Sequence, residues 1–126
     1  MIYGIGTDLV RLERFEQMFK RHGERLVRHL LMTEEIELFR ASAQPARFFA
    51  MHWAAKEAIV KALGTGFAQG IWLRDTGYVP NDKGKPEIIW STQGRSVCAR
   101  LGAGEGHLTL TDDQGLIVAM AVLMRA

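Results

Sequence analysis

One helix constrains this chain more than any other feature. Pro45 suits a first helical turn, where a missing N–H is harmless, and Gly64 suits the left-handed residue that closes a helix. Neither proline nor glycine interrupts Ala46 to Leu63, so the sequence predicts a helix of about five turns. At about 100° per residue, Phe48, Phe49, Trp53, Ile59, Val60 and Leu63 fall in one broad sector, the core face. Arg47, Glu57 and Lys61 fall on the opposite side, among Ala46, Ala50, Ala54 and Ala58, whose small side chains would let another molecule approach closely. Lys56 falls inside the apolar sector. Either its stem snorkels past the aromatic residues or its ammonium pairs with a carboxylate from elsewhere.

Shorter elements surround that helix. A strand is predicted over Ile2–Val10, with Tyr3, Ile5, Thr7 and Leu9 on one face and Gly4, Gly6 and Asp8 on the other, a nearly bare face around one carboxylate. Arg11 to about Leu31 is helical, broken at Gly23. Thr33 starts a short helix to about Ala41, its hydroxyl capping and Glu34 and Glu35 favoured by the dipole. Beyond Gly64, Thr65-Gly66 and Gln69-Gly70 mark a loop. A strand over about Ile71–Val79, a turn over Pro80–Lys85, a strand over Pro86–Trp90 and a helix over about Gln93–Leu101 follow. The chain closes with a hairpin, His107–Thr111 and Leu116–Met124 around Asp112–Gly115. The fold class is α+β, a mostly antiparallel sheet packed against one long helix. Leu116–Met124 is apolar on both faces, so the chain's own helices or a second subunit must cover the second face.

Composition narrows the function classes. At 126 residues the expectation is a single domain over 1–126, without room for a deep cleft between two lobes. Cys98 is the only cysteine, which excludes an internal disulfide and a cysteine zinc site and fits a reducing, cytoplasmic setting. No run approaches the ~20 apolar residues of a membrane span, and the first residues lack a signal-like pattern. A net charge of +2 is too mild to announce nucleic-acid binding, yet residues 11–28 carry six basic residues against three acidic ones. On one continuous wheel Arg11, Arg14, Arg21, Arg25 and Arg28 share a side, apart from an apolar stripe of Leu12, Phe15, Phe19, Leu26 and Leu30. A solvated face or a docking surface for an acidic partner would use the same pattern.

Glu57 and Lys61 allow two readings. As an exposed i,i+4 pair they contribute only about 0.3–0.5 kcal/mol. As a site, Glu57 offers a hard oxygen ligand and Lys61 neutralises phosphate. Magnesium usually takes only one or two protein carboxylates, and Asp8 is the natural second.

Two motifs decide between them. Gly4-Ile5-Gly6-Thr7-Asp8-Leu9-Val10, together with the run from Trp53-Ala54-Ala55-Lys56-Glu57 through Lys61 to Gly64-Thr65-Gly66, strongly resembles the holo-[acyl-carrier-protein] synthase family of the 4′-phosphopantetheinyl transferase superfamily. The resemblance spans the chain, including Asn81-Asp82-x-Gly84-Lys85-Pro86 and the closing His107-Leu108-Thr109-Leu110-Thr111-Asp112. It implies transfer of the 4′-phosphopantetheine arm of coenzyme A to a serine of apo-acyl carrier protein, releasing adenosine 3′,5′-bisphosphate, in support of fatty acid biosynthesis. It also implies a homotrimer with sites between subunits.

Carried over by motif position, Asp8 and Glu57 would hold Mg²⁺ and Lys61 would contact the pyrophosphate or leaving group. Glu57 is the first candidate to take the serine proton. Gly64, Thr65 and Gly66 would let backbone pass close to pantetheine or phosphates. Asn81, Gly84, Lys85 and Pro86 match the segment at the adenine and ribose end, and His107 and Thr109 match a strand lining the site from the neighbouring subunit. The basic stripe, with Arg14, Arg21 and Arg25, becomes the docking surface for the acidic carrier. His52 stands where the family often has arginine and Asp112 where it often has histidine. If that arginine binds the 3′-phosphate of coenzyme A, the contact is weakened here or taken over by Arg47. The competing class is a non-catalytic RNA- or nucleotide-binding module on the same stripe. That module requires exposed aromatic residues among the arginines and has no need of Asp8 with Glu57.

Overall fold

A computed structural model describes residues 1–126. The elements run β1 (Ile2–Arg11), α1 (Leu12–His22), α2 (Glu24–Leu30), α3 (Thr33–Arg40), α4 (Pro45–Leu63), β2 (Thr76–Pro80), β3 (Pro86–Trp90), α5 (Thr92–Leu101), β4 (Ala103–Asp113) and β5 (Leu116–Arg125). β1, β5 and β4 form an antiparallel three-stranded sheet with β5 central, and β2 pairs with β3 in a separate antiparallel hairpin. The helix α4 starts at Pro45 and ends where Gly64 takes φ +86°. Gly23, at φ +47°, separates α1 from α2. A two-residue turn with Gln114 and Gly115 at positive φ joins β4 to β5, the backbone twist tight hairpins favour.

The bare face of β1 lets α4 lie almost on its backbone. A Cβ at Gly4 would stand 2.0 Å from the Ala62 carbonyl oxygen, and one at Gly6 would stand 2.1 Å from that of Ala58. Ala50, Ala54 and Ala58 have no exposed surface, and opposite them Ala119 and Ala121 of β5 are equally buried. The alanine stripe is thus filled by the chain's own sheet rather than left open to another molecule, because glycine and alanine on the facing strands match it in size. The other side of α4 packs against α1, α3 and β2, with Phe15, Phe49, Ile59 and Leu63 in the shared core.

Strand register assigns the two faces of the large sheet. Gly6, Ala121 and Leu108 share a row facing α4, as do Asp8, Ala119 and Leu110. The opposite face carries Ile5, Val122 and His107, then Thr7, Met120 and Thr109, then Leu9, Val118 and Thr111. No element of the chain covers it, and Ile5 and Leu9 are 67% and 60% exposed. Tyr3 departs from the predicted alternation: the register shifts between Ile2 and Gly4, and the Tyr3 hydroxyl reaches back to donate to the Leu63 carbonyl at 3.2 Å.

Two local expectations fail for identifiable reasons. Of the strand expected over Ile71–Val79 only Thr76–Val79 forms, extended by Pro80; Leu73–Asp75 is a 3₁₀ turn. Asp75 offers the backbone an alternative to a ladder, accepting the Trp72 N–H at 2.8 Å and the Ser91 hydroxyl at 2.6 Å. Buried Ile71 and Leu73 imitate strand alternation. At α3 the capping residue is Met32, not Thr33. Glu35 accepts the Met32 N–H at 3.0 Å, leaving the Thr33 side chain exposed and uninvolved.

Candidate active site

Asp8 lies on the same β1 face as Gly4 and Gly6, so the close packing that the glycines permit carries its carboxylate to the C-terminal half of α4. There Lys61 Nζ donates to the Thr7 carbonyl at 3.0 Å and to Asp8 Oδ1 at 3.1 Å. Asp8 Oδ2 is buried and has no hydrogen-bond partner. Glu57, one helical turn before Lys61, is half-buried. Its burial and the nearby charge of Asp8 push its carboxyl above the ordinary glutamate range, against the opposing pull of Lys61 and of Arg14 on α1. Asp8, Glu57 and Lys61 therefore form one constellation, with Arg14 at its edge. Its donors suit a hard divalent cation: two close carboxylates raise the cost of ionisation, and an orphaned buried oxygen lacks the partner such an ion would be.

The loop after α4 is close by in sequence but committed internally. The N–H groups of Gly64, Thr65 and Gly66 all donate to the Val60 carbonyl, at 3.0, 3.2 and 3.3 Å, and the Thr65 hydroxyl donates to the Gly66 carbonyl at 2.7 Å. These amides do not form a cradle for phosphate. What remains is open space, since a Cβ at Gly64 or Gly66 would meet nothing within 4 Å.

A second group of predicted residues gathers elsewhere. A cavity of about 560 Å³ between the first half of α4 and the β2–β3 hairpin is lined by Arg47, Phe48, His52, Tyr78, Gly84 and Pro86, with Thr109 and Leu110 of β4 along its edge. Arg47 precedes Glu57 by ten residues, about 15 Å of helix rise. It does not share the Glu57 and Lys61 constellation. Its Nε and Nη2 both reach Asp112 Oδ2 at 2.8 Å. Two further residues bear on this cavity: Asp112 neutralises Arg47, and His52 lies at the wall. His52 is stacked between Phe48 and Tyr78, with ring centroids 4.0 Å away on either side. Burial pushes its pKa below the ordinary histidine value despite Glu35, whose carboxylate lies 2.6 Å from Nδ1.

Other candidates stand apart from both groups. The Asn81 side-chain oxygen accepts the N–H groups of Lys83 and Lys85 at 2.9 and 3.0 Å, so it shapes the turn. Lys85 is exposed beside the cavity without lining it. His107 lies on the open sheet face, on the side away from Asp8. Arg14, Arg21 and Arg25 are all exposed, although the break at Gly23 divides their stripe between two helices. Phe15 beneath them is fully buried, and half-buried Phe19 packs on Phe39 and Phe49. The aromatic rings beside these arginines are thus turned into the core, an arrangement that does not favour the RNA-binding reading.

One residue was absent from every candidate set. Glu35, fully buried, receives Lys56 Nζ at 2.5 Å as well as His52. Burial alone would raise its pKa, but the His52 hydrogen bond and the Lys56 charge hold it below the ordinary value. Lys56 in the apolar sector was the available signal, and pairing, not snorkelling, is the answer.

Comparison with known proteins gives concordant results. The family model described as the 4′-phosphopantetheinyl transferase superfamily matches residues 4–121. The holo-[acyl-carrier-protein] synthase of Vibrio cholerae serotype O1 (strain M66-2) is 41% identical over 125 residues, 99% of each chain. Among solved structures, the Neisseria meningitidis holo-[acyl-carrier-protein] synthase superposes with TM-score 0.94 at 32% identity, covering 99% of this chain and 100% of that one. The Bacillus anthracis holo-(acyl-carrier-protein) synthase in complex with CoA (3′,5′-ADP) gives TM-score 0.81 at 30% identity, covering 100% and 99%.

Proposed function

The chain belongs to the 4′-phosphopantetheinyl transferase superfamily and moves the 4′-phosphopantetheine arm of coenzyme A onto a serine hydroxyl of apo-acyl carrier protein; we propose that Asp8, Glu57 and Lys61 carry out this transfer. The observation that supports these three residues is their convergence on one spot, where Lys61 holds one oxygen of Asp8 and the other is buried without a partner. Asp8 and Glu57 would hold Mg²⁺, which when bound neutralises charge on the coenzyme A pyrophosphate. Lys61 supplies a second positive charge to the phosphate that departs. Glu57 takes the proton of the serine hydroxyl as its oxygen attacks phosphorus, the bond to the nucleotide side breaks, and adenosine 3′,5′-bisphosphate leaves. A carboxyl with a raised pKa suits a proton acceptor better than an ordinary exposed glutamate does.

The nucleotide end of coenzyme A would take the cavity of Arg47, His52, Tyr78, Gly84 and Pro86, whose walls are flat and largely apolar. Two parts of one site lying far apart on α4 fit a homotrimer in which the open sheet face of one copy meets the next, with His107 and Thr109 in that contact. Arg14, Arg21 and Arg25 would receive the acidic carrier. The same reading places the enzyme in the cytoplasm, serving lipid synthesis. Mass spectrometry of apo-carrier incubated with this protein, coenzyme A and Mg²⁺ tests the activity. The expected result is a gain equal to one phosphopantetheine; an unchanged carrier across a range of metals and pH would refute it.

A further inference from the structure

The proposed chemistry leaves one buried acid unused. Glu35 has no exposed surface, and Lys56 and His52 have only 1% and 3%. Its carboxylate takes the Met32 N–H at 3.0 Å, Lys56 Nζ at 2.5 Å, His52 Nδ1 at 2.6 Å and the Tyr78 N–H at 3.3 Å. Lys56 also donates to the Thr76 carbonyl at 2.5 Å. Gly77 admits the carboxylate: a Cβ there would stand 2.3 Å from Glu35 Oε2. One side chain thus ties α3, α4 and β2 together. It holds α4 at Lys56, the residue before Glu57, and at His52, on the cavity wall.

Stability does not explain such a cluster, because apolar side chains of similar volume often hold a core as well as a buried ion pair does. Directional bonds to charged groups do supply rotational precision. That matters here because the opposite side of α4 rests on alanine and glycine, which offer few steric stops. A side-chain head lies about 5–6 Å from a helix axis, so a rotation of about 10° moves it about 1 Å. A misplacement of about 1 Å can cost on the order of 10²-fold in rate.

We propose that Glu35 is a positioning residue for the transfer described above, on which this inference rests: by holding Lys56 and His52 it sets the rotation of α4 that turns Glu57 and Lys61 toward Asp8. Two variants test it against the wild type. Glu35→Asp keeps the charge and shortens the reach, while Glu35→Gln/Lys56→Met removes both charges and strands neither. kcat, KM for coenzyme A and for carrier, and the folded fraction by near-ultraviolet circular dichroism are measured for each. Each folded variant should lose about 10–100-fold in kcat with KM values held within about threefold, and the double variant should melt no lower than wild type. A kcat within about twofold of wild type in either folded variant overturns the assignment. So does failure of both variants to fold, which would make Glu35 a folding residue only. A wild-type protein without transfer activity counts against the reaction and not against Glu35. In that case side-chain chemical shifts of Glu57 and Lys61 in Glu35→Asp decide: displaced shifts support positioning, and unchanged shifts overturn it.

Discussion

In the proposed mechanism Glu57 has two jobs that both need its ionised form, and its surroundings oppose ionisation. Burial comes first and Asp8 second, with Lys61 and Arg14 only partly compensating. In the metal-free protein the Glu57 carboxyl should therefore titrate with a midpoint above the ordinary glutamate range; a bound cation favours the carboxylate, so transfer should fall at a lower pH than the free carboxyl titrates. Asp8→Asn removes a neighbouring negative charge and should lower that midpoint in the free protein; Arg14→Gln should raise it. Carboxyl carbon NMR reads both, and an unmoved midpoint in Asp8→Asn would separate the two carboxylates. The same raised pKa has a stability consequence. The folded state binds this proton more tightly than the unfolded chain, so stability drops as pH rises through the interval between the two values and stays lower above it. Glu57→Gln should then melt higher at pH 7 while losing about 10²–10³-fold in transfer, the magnitude typical of removing one electrostatic contact in the transition state. The proximity of Asp8, Glu57 and Lys61 was legible because a strand and a helix fixed their spacing within short motifs. Glu35 was not: its partners lie 17 and 21 residues along the chain, and only folding reveals that one carboxylate meets both.

At the scale of elements, α4 and its caps could be read from Pro45 and Gly64, and β1 from its alternation. Their mutual approach could not. Small residues on two elements show that each admits a close neighbour without saying that each is the other's neighbour, which is why the alanine stripe looked open. The 3₁₀ turn at Leu73–Asp75 was hidden for a related reason, since Asp75 finds one of its partners, Ser91, only after β3 has returned. The helix–sheet approach makes a graded prediction. In Gly6→Ala the new Cβ runs into the Ala58 carbonyl at 2.1 Å and the Ala62 nitrogen at 2.6 Å, both backbone atoms that cannot turn aside. A loss of about 3 kcal/mol or more is expected, the upper end of overpacking costs. Gly64→Ala meets nothing within 4 Å and suffers only the left-handed φ of +86°, about 1 kcal/mol. Urea unfolding monitored by tryptophan fluorescence ranks the two. Equal losses would mean that α4 and β1 can slide apart at little cost and that Asp8 is not held by their contact.

For the whole molecule, the question is what covers the open face of the sheet. The long C-terminal strand was apolar on both sides in sequence, and the fold uses the chain's own helix for one side only. Ile5, Leu9, Val118 and Met120 remain exposed in adjacent rows across β1 and β5. A patch of that kind marks an association surface more often than a solvated one. A cyclic assembly covers every copy of such a face without leaving an unfilled end. Met120 is the informative position because it lies on the central strand, between Thr7 and Thr109, one register step from the Asp8–Ala119 pair but on the opposite face of the sheet. Met120→Glu should leave the monomer fold intact, since the side chain is already 46% exposed within one chain. In an assembly it would bury an unpaired charge in each subunit, a cost of several kcal/mol that few contacts offset. Analytical ultracentrifugation should show wild type as a trimer and Met120→Glu as a monomer with an unchanged far-ultraviolet circular dichroism spectrum. Transfer should fall with assembly, because the cavity beside Arg47 and the carboxylates at Asp8 and Glu57 would no longer be brought together by a neighbouring copy. A monomeric Met120→Glu protein with full activity would place the whole site within one chain, and a wild-type monomer would leave the apolar rows to a different partner.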